Sequence, residues 1–271
     1  MMSDNSANLE FVSADDDMFY KHIKTLPAFR GLLRSMEAKM ISRLYMDGPI
    51  LDVGCGDGHF GGHVLSTGST IGIDISIRSL MQAKTYNSYR HVLQTDDKGY
   101  PFPDSYFGSV LCNSVLEHIP DVNRTISEIR RVLKPESQFV FTVPTEFFTK
   151  YLLVGSVLRS LRFNRISNWY IRFFNKISRH YHYNGERKWK LLLERHGFTI
   201  ESCVYYCSKD ALRAIEIGHY FGLPSLISKI LFGKWVLVQS KENLMIVDKL
   251  FRKYYDENLP EVGAYMLVVA K

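Results

Sequence analysis

An α/β fold, a doubly wound and mostly parallel sheet flanked by helices, follows from three features near the start of the chain. Ile50, Leu51 and Val53 form a short apolar run of the kind that makes a strand buried on both faces. Gly54, Gly56 and Gly58 then fall at every second position of PILDVGCGDGHF, which breaks any helix and lets the backbone turn tightly and close to a ligand. A second β-branched run, STIGIDI, ends on Asp74 about twenty residues after the glycines. At the tip of the second strand of such a sheet, a carboxylate is placed to accept from both hydroxyls of a ribose.

The spacing D-x-G-x-G-x-G differs from the dinucleotide fingerprint G-x-G-x-x-G, whose purpose is to aim a helix N-terminus at a pyrophosphate. A nucleoside without phosphates fits better, and a nicotinamide dehydrogenase is disfavoured. The two stretches together resemble class I S-adenosylmethionine-dependent methyltransferases, and the resemblance covers residues 45–145 in order and spacing. QTDDKGYPFPD, from Gln94 to Asp104, is similar to that family's adenine-binding segment. YFGSVLCNSVLEHIPD, from Tyr106 to Asp121, resembles its fourth strand and the following turn, and EIRRVLKPESQFVFTVP, from Glu128 to Pro144, resembles a helix, a proline turn and the fifth strand.

The resemblance implies a seven-stranded, Rossmann-like, mostly parallel sheet with N-terminal helices and an inserted helical lid after strand five. Its last strand, GAYMLVVA from Gly263 to Ala270, would insert antiparallel between the fifth and sixth. The expected segments are a lead-in with cap helices over 1–47, a cofactor-binding core over 48–145 and a basic lid over 146–185. A C-terminal completion of the sheet over 186–271 carries a second candidate lid segment at 211–240. The implied cofactor is S-adenosyl-L-methionine, released as S-adenosyl-L-homocysteine. Its implied contacts are Asp52, Gly54, Cys55, Gly56 and Gly58 in the loop, Asp74 and Ile75 at the ribose, and Asn113 and Ser114 at the methionine end. Asp96 would accept from the exocyclic amine of adenine and Asp97 contribute mainly its backbone amide; a plain Asp-Asp turn is the alternative. In the turn after strand four, His118 is a candidate general base for a substrate hydroxyl, since an imidazole titrates near neutrality. Its alternative is to brace the turn.

Each element can be read from pattern. Asp15 to Asp17 can cap a helix, and Phe29, Leu32, Leu33, Met36, Met40, Ile41 and Leu44 recur at helical steps after Pro27. In the resembled family an N-terminal helix of this kind lies over the cofactor, which implies Tyr20, Arg30 and Arg34 as candidates for the methionine end or an acidic substrate, against a reading as solvated groups on an amphipathic face. Helices are expected over Phe60 to Leu65 and Arg78 to Tyr86, and strands over His91 to Leu93, Ser109 to Cys112 and Thr199 to Tyr205. Arg187 to Phe198 reads as a helix closed by Gly197. One or two amphipathic helices are expected over Glu146 to Tyr183, with Trp169, Tyr170, Phe173 and Phe174 mostly on the buried face. In the resembled family the returning lid reaches the substrate here, which implies His182 and Tyr183 as substrate candidates, with packing as the alternative.

Composition bounds the function. At 271 residues, 46% hydrophobic and 23% charged, the chain suits one globular α/β domain with an appendage. Its four cysteines show no paired metal spacing, so reduced thiols, a cytoplasmic setting and no metal are expected. MMSDNSANLEFVSADDD lacks the basic start and apolar run of a signal peptide, and no apolar stretch reaches the ~20 residues that cross a bilayer. Between Lys150 and Arg195, eleven Lys and Arg face Glu186 and Glu194, a local excess of nine against +6 for the whole chain. Such a lid suits an anionic, amphipathic or membrane-held substrate, and a basic amphipathic helix can also lie on anionic lipid as a peripheral contact. Nucleic acid ranks below these, because the lid aromatics are expected to be buried and no RNA-binding module is present. The function expected is methyl transfer, foremost to an oxygen of a small-molecule, glycan or lipid-linked acceptor. The alternative is a non-catalytic relative that binds an anionic partner or membrane surface through its basic lid.

Overall fold

A computed structural model describes residues 17–65, 68–96 and 99–271. Seven strands form one sheet: β1 (Ile50–Val53), β2 (Thr70–Asp74), β3 (Tyr89–Gln94), β4 (Phe107–Asn113), β5 (Leu133–Pro144), β6 (Ile200–Tyr206) and β7 (Tyr265–Ala270). Their order is β3-β2-β1-β4-β5-β7-β6, with β7 antiparallel to both neighbours and the remaining pairings parallel. The order reverses between β1 and β4, so a crevice opens at the carboxyl ends of these strands.

Strand alternation divides the core between the two faces. On β4, Val110 and Cys112 pack with Phe139 and Phe141 of β5, and Leu111 points the other way with Val140. The first face is sealed by α5 (Val122–Val132) and α9 (Glu186–Arg195), which bury Ile126, Ile129, Trp189 and Leu193. The second is covered by α1 (Met18–Ile23) and α2 (Ala28–Ile41), whose Phe19, Leu32 and Ile41 lie against β1 and β5 residues. Asp17 caps α1, accepting from the Tyr20 amide at 3.2 Å; Asp15 and Asp16 lie outside the described residues.

Around the loop ends stand α3 (His59–Val64) and α4 (Ile77–Ala83). The segment expected to form a lid holds three helices rather than one or two: α6 (Phe147–Tyr151), α7 (Leu153–Ser160) and α8 (Asn164–Ser178). After β6 come α10 (Lys209–Phe221), α11 (Leu223–Phe232) and α12 (Lys241–Tyr255). None of the described helices is long and apolar enough to cross a membrane.

Two local expectations are corrected. The proline turn before the fifth strand is part of it: β5 runs from Leu133 through Pro135, absorbing the kink in a register shift opposite Phe107 and Ser109 and in a positive φ of 60° at Glu136. Of these four α8 aromatics only Tyr170 and Phe174 are buried, whereas Trp169 and Phe173 are exposed and stack at 5.7 Å. The helix covers the core on one side alone, so aromatics one turn apart on its outer side find only each other.

Candidate active site

The glycine loop owes its shape to three positive φ angles, 71° at Gly54, 57° at Gly56 and 76° at Gly58. The Gly54 and Cys55 amides both donate to the Ile73 carbonyl, at 2.8 and 3.0 Å, which ties the loop to the end of β2. A Cβ on Gly54 would stand 2.5 Å from Val115 Cγ2, and one on Gly58 would stand 2.7 Å from Ala83 Cα. A Cβ on Gly56 would meet nothing within 4 Å. The outer glycines thus allow close packing, and the middle one faces open space.

Asp74 closes the loop from the neighbouring strand. Its Oδ2 accepts from the Gly56 amide at 3.0 Å and its Oδ1 from the Ser76 amide at 2.8 Å. These bonds fix the carboxylate plane and leave lone pairs toward the crevice. Beside it the Ile75 side chain is 73% exposed, an apolar surface at the cavity wall.

Two connected cavities occupy the crevice. One of about 260 Å³ is lined by Arg30, Arg34, Asp52, Cys55 and Asn113; the other, of about 630 Å³, is lined by Asp74, Ile75, Asp96, Tyr100 and His118. Gly54, Ser79, Ser114 and Val115 line both. Asp97 lies outside the described residues. The segment around Asp96 is held from behind by α5: Arg131 donates to the Tyr100 and Phe102 carbonyls and to Asp104, and Glu128 accepts the Tyr100 amide at 2.7 Å.

Asp52 is buried and accepts from the Tyr89 hydroxyl at 2.6 Å. Burial pushes its carboxyl up to about 7, against the pull of that hydrogen bond. Arg34 reaches the same cavity while its Nη1 donates to Glu37 at 2.5 Å. Burial alone would depress this guanidinium, but the Glu37 carboxylate outweighs it and holds the guanidinium above its usual range.

Glu37 is the residue that sequence reasoning missed. Fully buried on α2, it also accepts from Asn113 Nδ2 at 2.9 Å, Ser114 Oγ at 2.7 Å and the Tyr206 hydroxyl at 3.1 Å. The side chains of Asn113 and Ser114 are therefore engaged with an internal carboxylate while both residues line the cavity. One signal could have found it: a glutamate beside Met36 on the apolar face of an amphipathic helix.

His118 lies on the 3₁₀ turn Leu116–His118, with Nδ1 3.0 Å from the Arg179 carbonyl, and burial lowers its pKa. The adjacent Glu117 is 1% exposed, and burial raises its carboxyl to about 8. Of the four substrate candidates, Arg34 reaches the crevice. Tyr20 packs with the core around α1, His182 is 2.8 Å from the Ile119 carbonyl, and the Tyr183 hydroxyl donates to Asn175 at 2.8 Å. None of these three lines either cavity.

His59 and His63 make local polar contacts: His59 Nε2 is 2.7 Å from the Thr25 hydroxyl, and His63 Nδ1 is 2.7 Å from the His59 carbonyl. They share a cluster with the fully buried His22, whose ring centroid lies 5.1 and 5.4 Å from theirs.

Comparison with known proteins agrees with this architecture. Residues 51–141 match the family described as "Methyltransferase domain". A demethylmenaquinone methyltransferase of Symbiobacterium thermophilum is 29% identical over 132 residues, 45% of this chain and 53% of that protein. A malonyl-[acyl-carrier protein] O-methyltransferase of Buchnera aphidicola is 32% identical over 133 residues, 47% and 54% of the two chains. The chain thus spans about half the length of these curated relatives. Among solved structures, a SAM-dependent methyltransferase of Thermotoga maritima, described as a possible histamine N-methyltransferase, superposes with a TM-score of 0.54 at 15% identity. That match covers 90% of each chain and shows the shared fold.

Proposed function

We infer that this chain, a member of the class I S-adenosylmethionine-dependent methyltransferases through residues 51–141, transfers a methyl group to an oxygen of an apolar or lipid-linked small-molecule acceptor. The observation that carries the reading is the Asp74 carboxylate, fixed by the Gly56 and Ser76 amides beside a glycine with open space in front of it. That arrangement suits a ribose diol with no phosphate attached. Ile75 and Asp96 would hold the adenine, and Arg30, Arg34 and Asp52 the charged methionine end. The bound cofactor supplies a methyl group already activated by its positive sulfur. The remaining work of the protein is to align the acceptor and exclude water. His118, at the edge of the larger cavity, is the titratable side chain closest in role to an acceptor's proton.

Support for an oxygen acceptor comes from the O-methyltransferase among the relatives. Support for an apolar acceptor comes from the groove of about 700 Å³ between α1 and α10 to α12, which shares Leu26 with the cofactor cavity. Its lining includes the exposed apolar side chains of Ile217, Phe221, Leu237, Val238 and Leu250. Isothermal titration with S-adenosylmethionine, S-adenosylhomocysteine and NAD tests the cofactor: micromolar binding of the first two and none of NAD is expected. Transfer of labelled methyl to a series of phenols with alkyl tails of increasing length tests the acceptor. Transfer that does not improve with tail length would remove the apolar reading.

A further inference from the structure

Three side chains, Glu117, His118 and His180, cluster where His118 borders the larger cavity. Glu117 is 1% exposed, yet its Oε2 has no hydrogen-bond partner among the described residues. Its Oε1 is 4.0 Å from His118 Nε2, beyond hydrogen-bond reach. His180, on the chain returning from α8, brings its ring to 5.1 Å from that of His118. One ligand-type atom from each of the three residues lies within 4.8 Å of the other two.

The neighbours of the two imidazoles fix which nitrogen carries the proton. His118 Nδ1 faces the Arg179 carbonyl at 3.0 Å, and a carbonyl only accepts, so Nδ1 holds the hydrogen. His180 Nδ1 is 3.1 Å from the Tyr183 hydroxyl, whose own hydrogen goes to Asn175 Oδ1 at 2.8 Å. The Tyr183 oxygen therefore accepts, and His180 Nδ1 is again the donor. Both rings are left with a bare Nε2, the state that outer hydrogen bonds impose on histidines ligating a metal. The backbone braces the same place: the Tyr181 amide donates to the Glu117 carbonyl at 2.7 Å, and His182 meets the Ile119 carbonyl at 2.8 Å. His180 immediately precedes these two ties.

We propose that Glu117, His118 and His180 bind one divalent transition cation of the zinc class. Two imidazole nitrogens and one carboxylate oxygen suit that class rather than magnesium or calcium, which prefer all-oxygen shells. Ligands at about 2.0–2.2 Å from a common ion stand about 3–4 Å apart, so a small contraction of the present spacing closes the site. His118 lines the larger cavity, so an ion held there would supply Lewis-acid chemistry, lowering the pKa of an acceptor hydroxyl that gives its proton to solvent before the methyl transfer. His118 would then be a ligand and not a base. This last role rests on the methyl-transfer reading, whereas the binding of the ion does not.

The test is titration of Co²⁺ and Zn²⁺ into the metal-stripped full chain, without cofactor or acceptor. One equivalent of each is expected, with visible d–d absorption for Co²⁺, and an affinity at least tenfold weaker in His118→Gln and in His180→Gln. His59→Gln, in the other histidine cluster, is expected to bind like wild type. Absence of saturable binding to the wild-type chain would overturn the proposal, as would undiminished binding in both His118→Gln and His180→Gln. Titrating S-adenosylmethionine into the same samples reports the cofactor reading separately. The cobalt spectrum of the wild-type chain stands as evidence even if a variant fails to fold.

Discussion

Ser114, at the carboxyl end of the central strand β4, donates across 2.7 Å to Glu37 on the N-terminal helix, 77 residues earlier in the chain. The same carboxylate neutralises Arg34 and orients Asn113, so a residue outside 51–141 positions three side chains that line the smaller cavity. Replacing Glu37 with Ala would leave Arg34 without its counter-charge and the donors of Asn113, Ser114 and Tyr206 unpaired. Loss of one partner of a buried ion pair costs about 3–5 kcal/mol. Urea unfolding should show a loss of that size, and Glu37→Gln, which keeps an acceptor oxygen, should lose less.

Asp74 is expected to act on affinity. Asp74→Ala removes a charge-assisted hydrogen bond to a ribose, worth about 1.5–3 kcal/mol, so the dissociation constant for S-adenosylhomocysteine should rise by roughly 10- to 150-fold. Titration calorimetry decides it, with circular dichroism confirming the fold. An unchanged constant would place the ribose elsewhere.

The glycines should separate stability from binding. Both Gly54→Ala and Gly56→Ala place a side chain at positive φ, at about 1–2 kcal/mol. Only at Gly54 does the new methyl collide with Val115, at 2.5 Å, adding about 1–3 kcal/mol of overpacking. Gly56→Ala should therefore be the more stable variant in a denaturant melt, and still bind the cofactor poorly, because its methyl enters the open space.

A pH dependence resides in His22. Burial, with the nearby His59, His63, Arg34 and Lys21, pushes its pKa down to about 2 from 6.5. The unfolded chain binds this proton as pH falls below 6.5 and the folded chain does not, so the stability is fully present above 6.5 and drains away toward pH 2. His22→Phe should flatten that limb of the stability curve. Asp52 acts oppositely: with its carboxyl raised to about 7 from 3.8, it favours the folded state at low pH and withdraws that contribution as pH climbs to 7. The difference between wild type and Asp52→Asn, followed over that interval, isolates the effect.

The sequence by itself determined the parts that local chemistry dictates. Three glycines at alternate positions after an apolar strand have one economical use, and all three take the positive φ that the pattern demanded. Buried strands announce themselves as apolar runs, and Gly197, at φ 77°, closes α9 where a helix was expected to end. What only the tertiary structure decided involves partners distant along the chain. Glu37 is a charge on an amphipathic helix until Asn113, Ser114 and Tyr206 surround it. Asn113 and Ser114 are legible as lining residues, whereas their engagement with Glu37 is not. Trp169 and Tyr170 are neighbours with similar side chains, yet one is 60% exposed and the other 7%, because burial depends on what the helix packs against. His180 and Glu117, 63 residues apart, share no pattern that a linear reading could weigh. Propensity and periodicity act over a few residues, and only folding determines which distant polar atoms meet in a medium too poor in water to leave them unpaired.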